Sequence, residues 1–287
     1  MHGPSDQVFS RAEIPPKREI VIQADGGLHD YWKDVWNFRE LLYILAWRDI
    51  LVRYKQTAIG PFWGMLNPLF KILVFTFVFG KIAKLPSDGV PYPILVLAGL
   101  LPWQFFSSSL FALNESLLNH AAMISKTYFP RIIIPISATG VYLLDFFISS
   151  AILFALMAWY GFFPEIRVFH FLFFVFLLLT ISMGIGFWFS ALSVRYRDAR
   201  YVVPVLLQFG LYISPVGFTS AVVPEPFRFI YSLNPMVGII DGFRWSLLGQ
   251  HRLDLQSISI SIFFSLLFFF TGIVFFRNQE LYFADVI

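Results

Sequence analysis

Two charged side chains lie inside long apolar runs, and they are the residues of this sequence best placed to do chemistry in a membrane. Lys71 falls within the run 61–80, and Asp145 falls within the run 132–160. A charge at the centre of a bilayer costs about 2.5–3.5 kcal/mol on insertion scales, so such groups usually face protein or water. Lys71 and Asp145 are therefore expected to pair, to line a conduit, or to face a subunit interface. A proton-coupled carrier would also need such groups, but usually more of them.

A second informative stretch is RYKQTAIGPFWGMLNP, residues 53–68. A basic segment that contains Tyr54 breaks at Gly60-Pro61 and turns directly into an apolar run that contains Trp63. This stretch marks the point where a water-facing head meets the first membrane span.

Several kinds of chemistry are excluded or disfavoured. The phosphate-binding pattern GxxxxGK followed by Ser or Thr is absent, and Gly80-Lys81 is followed by Ile82. We therefore expect no nucleotide site in this chain. The chain has no cysteine and no HExxH motif, and its histidines are scattered, so we expect no metal site and no thiol nucleophile. Clustered loop carboxylates for a metal-dependent membrane enzyme are also missing, since the loops at 114–131 and 195–200 offer only Glu115 and Asp198.

Aromatic side chains make up 20% of the chain, with 36 Phe, 12 Tyr and 8 Trp. Rings can stack on the apolar faces of sugars. They are also common where a helix faces lipid or the membrane interface. For any single ring the lipid interpretation is the more economical one.

The composition of the chain is typical of an integral membrane protein. The chain is 57% hydrophobic and only 14% charged, whereas soluble domains carry roughly a quarter charged residues. Runs long enough to cross a hydrocarbon core of about 30 Å predict an all-α integral membrane protein with six transmembrane helices. The predicted spans are about 61–80, 92–113, 132–160, 168–194, 201–220 and 257–276.

The predicted orientation places both termini in the cytoplasm. The first 30 residues lack an apolar core behind a basic start, so they do not resemble a signal peptide. Near the spans, nine Lys and Arg residues fall on the predicted inner side and six on the outer side, which agrees with the positive-inside rule. The net charge of +3 is explained by anionic lipid headgroups and gives no reason to expect a nucleic-acid partner.

Segments outside the spans complete the predicted architecture. Residues 1–36 are expected to form a polar, loosely ordered cytoplasmic tail, and 277–287 a cytoplasmic C-terminus. Residues 37–57 are predicted to form an interfacial amphipathic helix with two apolar faces separated by charge. Between spans five and six, the apolar pieces of 222–250 are too short to cross. They predict a re-entrant helix pair split at Asn234-Pro235.

Four motifs in this order resemble one family, the membrane subunit of bacterial ATP-binding-cassette exporters of O-antigen, capsule and teichoic acid. The motifs are RYKQTAIGPFWGMLNP at 53–68, GLLPWQFFSSSL at 99–110, RYRDAR at 195–200 and the series from SPVGF to NPM at 214–236. The likeness covers about 35–280. The polar tail is not part of the pattern.

The resemblance implies a permease without enzymatic activity of its own in the bacterial inner membrane. Two copies would form a conduit and dock two copies of a separate P-loop ATPase, which would bind ATP and Mg. The cargo would be a polysaccharide on a polyprenyl pyrophosphate lipid, and Arg53 and Lys55 could attract that pyrophosphate. Contact with lipid headgroups explains these two residues equally well.

The same resemblance implies roles for particular residues. Residues 114–130 would hold the segment that couples to the ATPase. Candidate coupling residues are Asn114, Glu115, Leu118, His120, Arg195, Arg197 and Asp198. Candidate rings along the substrate pathway are Tyr54, Phe62, Trp63, Trp103, Phe105 and Phe106. The turn at Asn234 and Pro235 would shape the external exit.

Three other functions remain open. A drug or lipid exporter of the same superfamily would share the architecture, and the aromatic motifs only favour polysaccharide. A proton-coupled secondary transporter should show an inverted repeat, and we find none in the sequence. A membrane glycosyltransferase would need the clustered acidic loop residues that the sequence does not offer.

Overall fold

The computed structural model describes residues 28–55, 69–87, 89–249, 253–280 and 282–283, and within these ranges the chain forms helices and no strand. Near the N-terminus are α1 (Leu28–Asn37) and α2 (Arg39–Lys55). Helix α3 covers 69–75 and continues as a π-helix over Thr76–Ile82. Then follow α4 (Tyr92–Asn119), the four-residue α5 (Ala121–Ile124) and α6 (Ile133–Trp159). A 3₁₀ turn, Ile166–Phe169, leads into α7 (His170–Arg195). The remaining helices are α8 (Ala199–Ile213), α9 (Glu225–Ser232), α10 (Pro235–Leu248) and α11 (Leu255–Glu280).

Four of these helices are long and apolar enough to cross a membrane. They are Tyr92–Asn119, Ile133–Trp159, the continuous stretch Ile166–Arg195 and Leu255–Glu280. These four correspond to predicted spans two, three, four and six, and they confirm the class of an α-helical membrane protein. For span one, residues 61–68 lie outside the described part of the chain. For span five, α8 has only 15 residues, which is short of the roughly 20 needed to cross. The total of six spans therefore stays a prediction.

Helix α4 is the centre of the bundle. In its most apolar stretch of 18 residues, 78% of the residues are buried, against 28% in the corresponding stretch of α11. It packs between α6 and α7, and α11 packs along α7 on the other side. Helices α7 and α11 meet where two glycines face each other, because a Cβ on Gly184 would lie only 2.5 Å from the backbone nitrogen of Phe269, and one on Gly272 would collide with the carbonyl of Gly184. The end of the bundle at Asn119, Arg195 and Glu280 is called the inner end below, because the sequence predicts that it faces the cytoplasm.

The pair of helices predicted between spans five and six is present, and its break is at the predicted position. Asn234 caps α10, since its Oδ1 accepts from Met236 N at 3.0 Å and its Nδ2 donates to Ser214 Oγ at 3.0 Å. The cap satisfies one of the N–H groups that a helix start leaves unpaired. Helix α10 is enclosed by α4, α7 and α11. Whether the pair dips into a membrane is still a prediction.

Two boundaries differ from the sequence analysis. Residues 28–36, assigned to the tail, belong to helix α1, whose Tyr31 and Val35 pack on a buried cluster at the inner end. Tertiary contacts stabilise this helix. The sequence also carried a signal for it, since apolar residues recur at helical spacing, namely Leu28, Tyr31, Trp32, Val35 and Trp36. Helix α4 continues past 113 to Asn119, so the predicted coupling region begins inside a spanning helix. This extension has a simple cause, since Leu113 and Leu117 remain fully buried on the same helix face.

Candidate functional site

The carboxylate of Asp145 lies at the centre of a polar cluster between α2 and α6. Arg53 Nη2 is 2.7 Å from Asp145 Oδ2, and the Tyr54 hydroxyl donates a hydrogen bond to Asp145 Oδ1. The guanidinium of Arg53 also lies 4.9 Å from the ring centroid of Tyr142. The side chains of Arg53 and Asp145 are 42% and 20% exposed, so one side of the arginine stays open. The cluster joins the basic head to the intramembrane carboxylate.

The path of α2 explains why these residues meet. Helix α2 lies along α6, and a Cβ added to Gly140 would touch that of Ala46 at 3.4 Å. The missing side chain at Gly140 lets the two helices approach. Two helical turns after Ala46, about 10 Å along the axis, α2 ends with Arg53 and Tyr54 beside Asp145.

Burial, followed by the influence of Asp145, raises the pKa of the Tyr54 hydroxyl well above its ordinary value. Tyr54 is therefore protonated at neutral pH and acts as the donor to Asp145. The carboxylate thus receives one charged and one neutral donor from adjacent positions of α2.

A small cavity of about 70 Å³ opens beside this cluster between α4 and α6. Its wall combines Arg53 and Asp145 with polar side chains of both helices, namely Gln104, Ser108, Tyr142 and Ser149, and with the predicted pathway ring Phe105. The cavity is of the size of a few water molecules and is too small for a sugar ring. In this arrangement the cluster can hold a charge and water, and it can present Arg53 to an anionic group.

The structure decides between the alternatives for the two intramembrane charges. The partner of Asp145 is Arg53, and Lys71 is not in contact with it. Lys71 is half-buried on α3 and forms no ion pair with any described residue. A pairing of Lys71 with Asp145, which the sequence left open, is therefore absent from the described chain.

The described candidate rings on α4 are buried within the chain. Trp103 packs on Gly210 of α8, where an added Cβ would lie 2.5 Å from its ring, and it contacts Phe106 at a centroid distance of 5.6 Å. Phe105 packs edge-on against Phe146 of α6. Phe62 and Trp63 lie outside the described residues. A role of these rings along a substrate pathway stays a prediction.

The predicted coupling residues gather at the inner end, with one exception. Glu115, Leu118 and His120 are partly exposed, and Arg195, Arg197 and Asp198 are exposed. Asn114 is fully buried and accepts a hydrogen bond from Ser193 of α7, so it joins α4 to α7 and is not on the surface. Lys55, the second basic residue of the predicted mouth, is exposed at the end of α2.

A contact links the polar cluster with the predicted coupling segment. Arg48 of α2 donates to His120 Nε2 at 2.5 Å, and His120 Nδ1 lies 2.8 Å from the carbonyl of Ser116. Helix α2 therefore contacts α6 near Asp145 and also the C-terminal end of α4. One helix therefore carries both the contact with His120 and the contact with Asp145.

Two polar clusters escaped the sequence analysis. Glu280 accepts hydrogen bonds from Tyr31 Oη at 2.8 Å and from the backbone N–H of Arg131 at 2.6 Å. Arg244 is 1% exposed and donates to the carbonyls of Phe218 and Val216 at 2.7 and 2.9 Å. Arg244 could have been found, because a charge within an apolar segment is itself a signal. Glu280 gave no such signal, since it ends a span where charges are ordinary.

Comparison with known proteins identifies the family of the chain. A family model described as ABC-2 type transporter matches residues 40–248, which is more than half of the chain. The O-antigen export system permease protein RfbA of Klebsiella pneumoniae is 27% identical over 249 residues, covering 86% of this chain and 95% of the relative. RfbA of Myxococcus xanthus is 28% identical over 224 residues, covering 77% and 85%. The polysialic acid transport protein KpsM of Escherichia coli is 26% identical over 241 residues, covering 81% and 91%. As its motifs predicted, this chain belongs to the ABC-2 type transporter family of membrane proteins.

Proposed function

We propose that this chain is the membrane subunit of an ATP-driven exporter that moves a lipid-linked polysaccharide, most simply an O-antigen on a polyprenyl pyrophosphate, out of the cytoplasm. One observation carries the proposal: relatives named as O-antigen export permeases align over 86% of this chain. The KpsM relative is named for transport of another polysaccharide. The relatives that align over most of the chain are therefore all named for the transport of a polysaccharide.

In this proposal a separate P-loop ATPase supplies the energy, because the sequence has no phosphate-binding loop of its own. The partner would dock at the inner end, against the segment from Glu115 to His120 and the turn after α7. Its movement would pass through His120 and Arg48 to helix α2, and from there to the Arg53–Asp145 pair. Two copies of the chain would enclose the conduit in the bacterial inner membrane, with both termini in the cytoplasm.

Arg53 is the residue proposed to meet the pyrophosphate at the inner mouth. It is held in place by Asp145 on one side, and its exposed side has N–H groups that bind phosphate well. Lys55 is exposed two residues later, about 200° further around the helix, and adds positive charge to the end of α2. The approaching anion would compete with Asp145 for the guanidinium and so couple cargo binding to the position of α2.

The partner is tested first. The tagged chain is co-expressed with the proteins encoded beside it, purified, and assayed for ATP hydrolysis. A stoichiometric P-loop partner, whose hydrolysis changes when this chain is reconstituted with it, supports the proposal. A chain that purifies without any ATPase would contradict it, and a proton-coupled carrier would then be the leading alternative.

The role of Arg53 is tested with Arg53→Ala and with Arg39→Ala, a matched variant of an exposed arginine on the same helix. We expect Arg53→Ala to lower polymer export severalfold while the ATPase still co-purifies, and Arg39→Ala to export normally. Unchanged export by Arg53→Ala would remove the proposed phosphate contact. Supplying a drug or a short lipid as cargo in the same assay distinguishes a drug or lipid exporter from a polysaccharide exporter.

A further inference from the structure

A groove runs along the surface between α7 and α11, away from the polar cluster at Asp145. It has a volume of about 370 Å³ and is lined almost entirely by apolar atoms, with walls formed by Trp188, Phe270, Thr271, Val274, Phe275 and Asn278. Phe270 is 62% exposed, so the groove is open to the surroundings of the bundle. In a membrane-spanning chain those surroundings are the acyl chains of lipids.

The packing of the two helices produces the groove. They touch at Gly184 and Gly272, where no side chain separates their backbones. Toward the inner end, the stacked rings of Trp188 and Phe275, with centroids 4.0 Å apart, fill the space between the helices. Large rings thus take the place of glycine at this level of the two helices, and the furrow lies beside the rings.

Polar atoms form a small part of the wall, and the indole and hydroxyl groups among them bond within the protein, whereas the amide of Asn278 is exposed at the end of the groove nearest the inner end. Trp188 Nε1 donates to Thr271 Oγ1 at 3.2 Å, and that hydroxyl donates to the carbonyl of Leu267 at 2.6 Å. The wall therefore presents carbon to whatever occupies it. Such a wall suits an acyl chain and does not suit a sugar or a peptide backbone, which would lose hydrogen bonds there.

The inner end of the groove is positively charged. Arg195 lies two helical turns after Trp188 on the same face of α7, about 10 Å along the axis. It is exposed, and its Nη1 donates to Gln279 Oε1 at 3.3 Å, one turn beyond Phe275 on α11. Its guanidinium also lies 5.5 Å from the ring centroid of Tyr196, and Gln279 is the one hydrogen-bond partner of its side chain among the described residues. Arg195 forms no ion pair with a carboxylate of the described residues, and the carboxylate of Glu280 accepts instead from the Tyr31 hydroxyl and the backbone N–H of Arg131.

An apolar furrow with a cation about 10 Å beyond Trp188 along α7 suits one lipid, with the phosphate at the cation and the acyl chain in the furrow. We propose that this groove binds one anionic phospholipid of the bilayer, with its phosphate at Arg195 and an acyl chain against Trp188 and Phe275. The bound lipid would hold the inner ends of α7 and α11 together next to the predicted docking surface. The proposal depends on membrane insertion and is independent of the transported cargo.

Tryptophan fluorescence tests the site directly, because Trp188 forms part of its wall. The purified complex is placed in nanodiscs in which either phosphatidylglycerol or phosphatidylethanolamine carries bromine on its acyl chains. Bromine quenches nearby indoles, and subtracting the signal of Trp188→Phe isolates the contribution of Trp188. We expect Trp188 to be quenched by brominated phosphatidylglycerol in preference to brominated phosphatidylethanolamine, with an apparent enrichment of about fivefold, the ratio that about 1 kcal/mol per basic residue gives.

The role of the charge is tested with Arg195→Ala and with Arg200→Ala, which removes another exposed arginine from the following helix. Arg195→Ala should abolish the preference, Arg200→Ala should keep it, and added salt should weaken it by screening. Equal quenching by the two brominated lipids in the unmodified protein would overturn the proposal. A preference that survives in Arg195→Ala would overturn it as well.

Native mass spectrometry gives a second measurement that does not need the Trp188 variant. The complex released from mixed-lipid nanodiscs is expected to retain one phosphatidylglycerol per chain in the unmodified and Arg200→Ala forms. Arg195→Ala is expected to lose it. Retention by all three forms, or by none of them, contradicts the assignment.

Discussion

At the scale of single residues, the main finding is the partner of Asp145. A carboxylate within an apolar helix needs compensation, and the sequence offered Lys71 as the other intramembrane charge. The structure supplies Arg53 and Tyr54 from the end of α2. A basic segment assigned to the membrane surface therefore contributes to the packing of the bundle.

A double-mutant cycle measures this pair. We expect Arg53→Ala and Asp145→Asn each to lower the free energy of unfolding by about 1–2 kcal/mol, between the values of exposed and buried pairs. The two effects should couple by about 1 kcal/mol, because each variant removes the same contact. Thermal unfolding of the solubilised protein, followed by size-exclusion chromatography, provides the measurement.

The control for the cycle is Lys71→Ala combined with Asp145→Asn. Their effects should add to within about 0.5 kcal/mol, since the residues do not touch. Strong coupling between Lys71 and Asp145, without coupling between Arg53 and Asp145, would show that the carboxylate has a different partner.

At the scale of elements, buried polar side chains fix how the helices meet. Arg244 of α10 joins three backbone carbonyls, one on α4 at Leu95 and two after α8 at Val216 and Phe218. Gly99 leaves room for it, because a Cβ there would lie 2.7 Å from the carbonyl of Val216 and would also clash with the guanidinium. Helix α10 is thereby fixed to two neighbours by one side chain.

Arg244→Met keeps much of the side-chain volume but leaves these carbonyls without their charged donor. Hydrogen bonds to charged groups contribute about 1.5–3 kcal/mol each, so we expect the variant to lose about 3 kcal/mol or more of stability and to yield little folded protein. Arg228→Met on α9 is the matched control, because Arg228 is exposed. It should stay within about 0.5 kcal/mol of the unmodified protein. Equal melting temperatures of the two variants would contradict this role of Arg244.

Helix α1 is attached to α11 through Tyr31 and Glu280. Burial, followed by the influence of Glu280, raises the pKa of Tyr31 above its ordinary value, so its hydroxyl stays protonated and donates. Tyr31→Phe should therefore loosen α1 and speed hydrogen exchange of its amides severalfold, with the spanning helices unaffected. Tyr43→Phe, at an exposed ring of α2 that stacks on Trp47, should change nothing. Unaltered exchange in Tyr31→Phe would show that apolar packing alone holds α1.

At the scale of the whole molecule, the prediction to test is that the chain crosses the membrane six times. Four helices span by length and composition, while α3 and α8 are shorter over the described residues. Six crossings put the loops after α6 and after α8 outside, and the loops after α4 and α7 inside. The exposed apolar side chains of α8, including Val205, Phe209 and Tyr212, need lipid or a protein neighbour in either case.

The absence of cysteine makes this arrangement measurable, because each introduced thiol is unique. We expect Phe163→Cys and Glu225→Cys to react with a membrane-impermeant maleimide added to intact spheroplasts. Lys126→Cys and Asp198→Cys should react only after permeabilisation. Labelling of Glu225→Cys from the inside alone would mean that α8 does not cross and that the six-span prediction is wrong.

The sequence by itself determined the membrane class, four of the six predicted spans, the break at Asn234 and the family. These features depend on local properties: apolar runs of sufficient length, a capping residue before a proline, and motifs in a fixed order. Only the tertiary structure decided that Asp145 pairs with Arg53, that Asn114 is buried against Ser193, and that Glu280 receives Tyr31 from α1. Each of these contacts joins two helices, and the paired residues are 79 to 249 positions apart in the sequence. Hydropathy records how apolar a segment is, but not which face of a helix meets which neighbour.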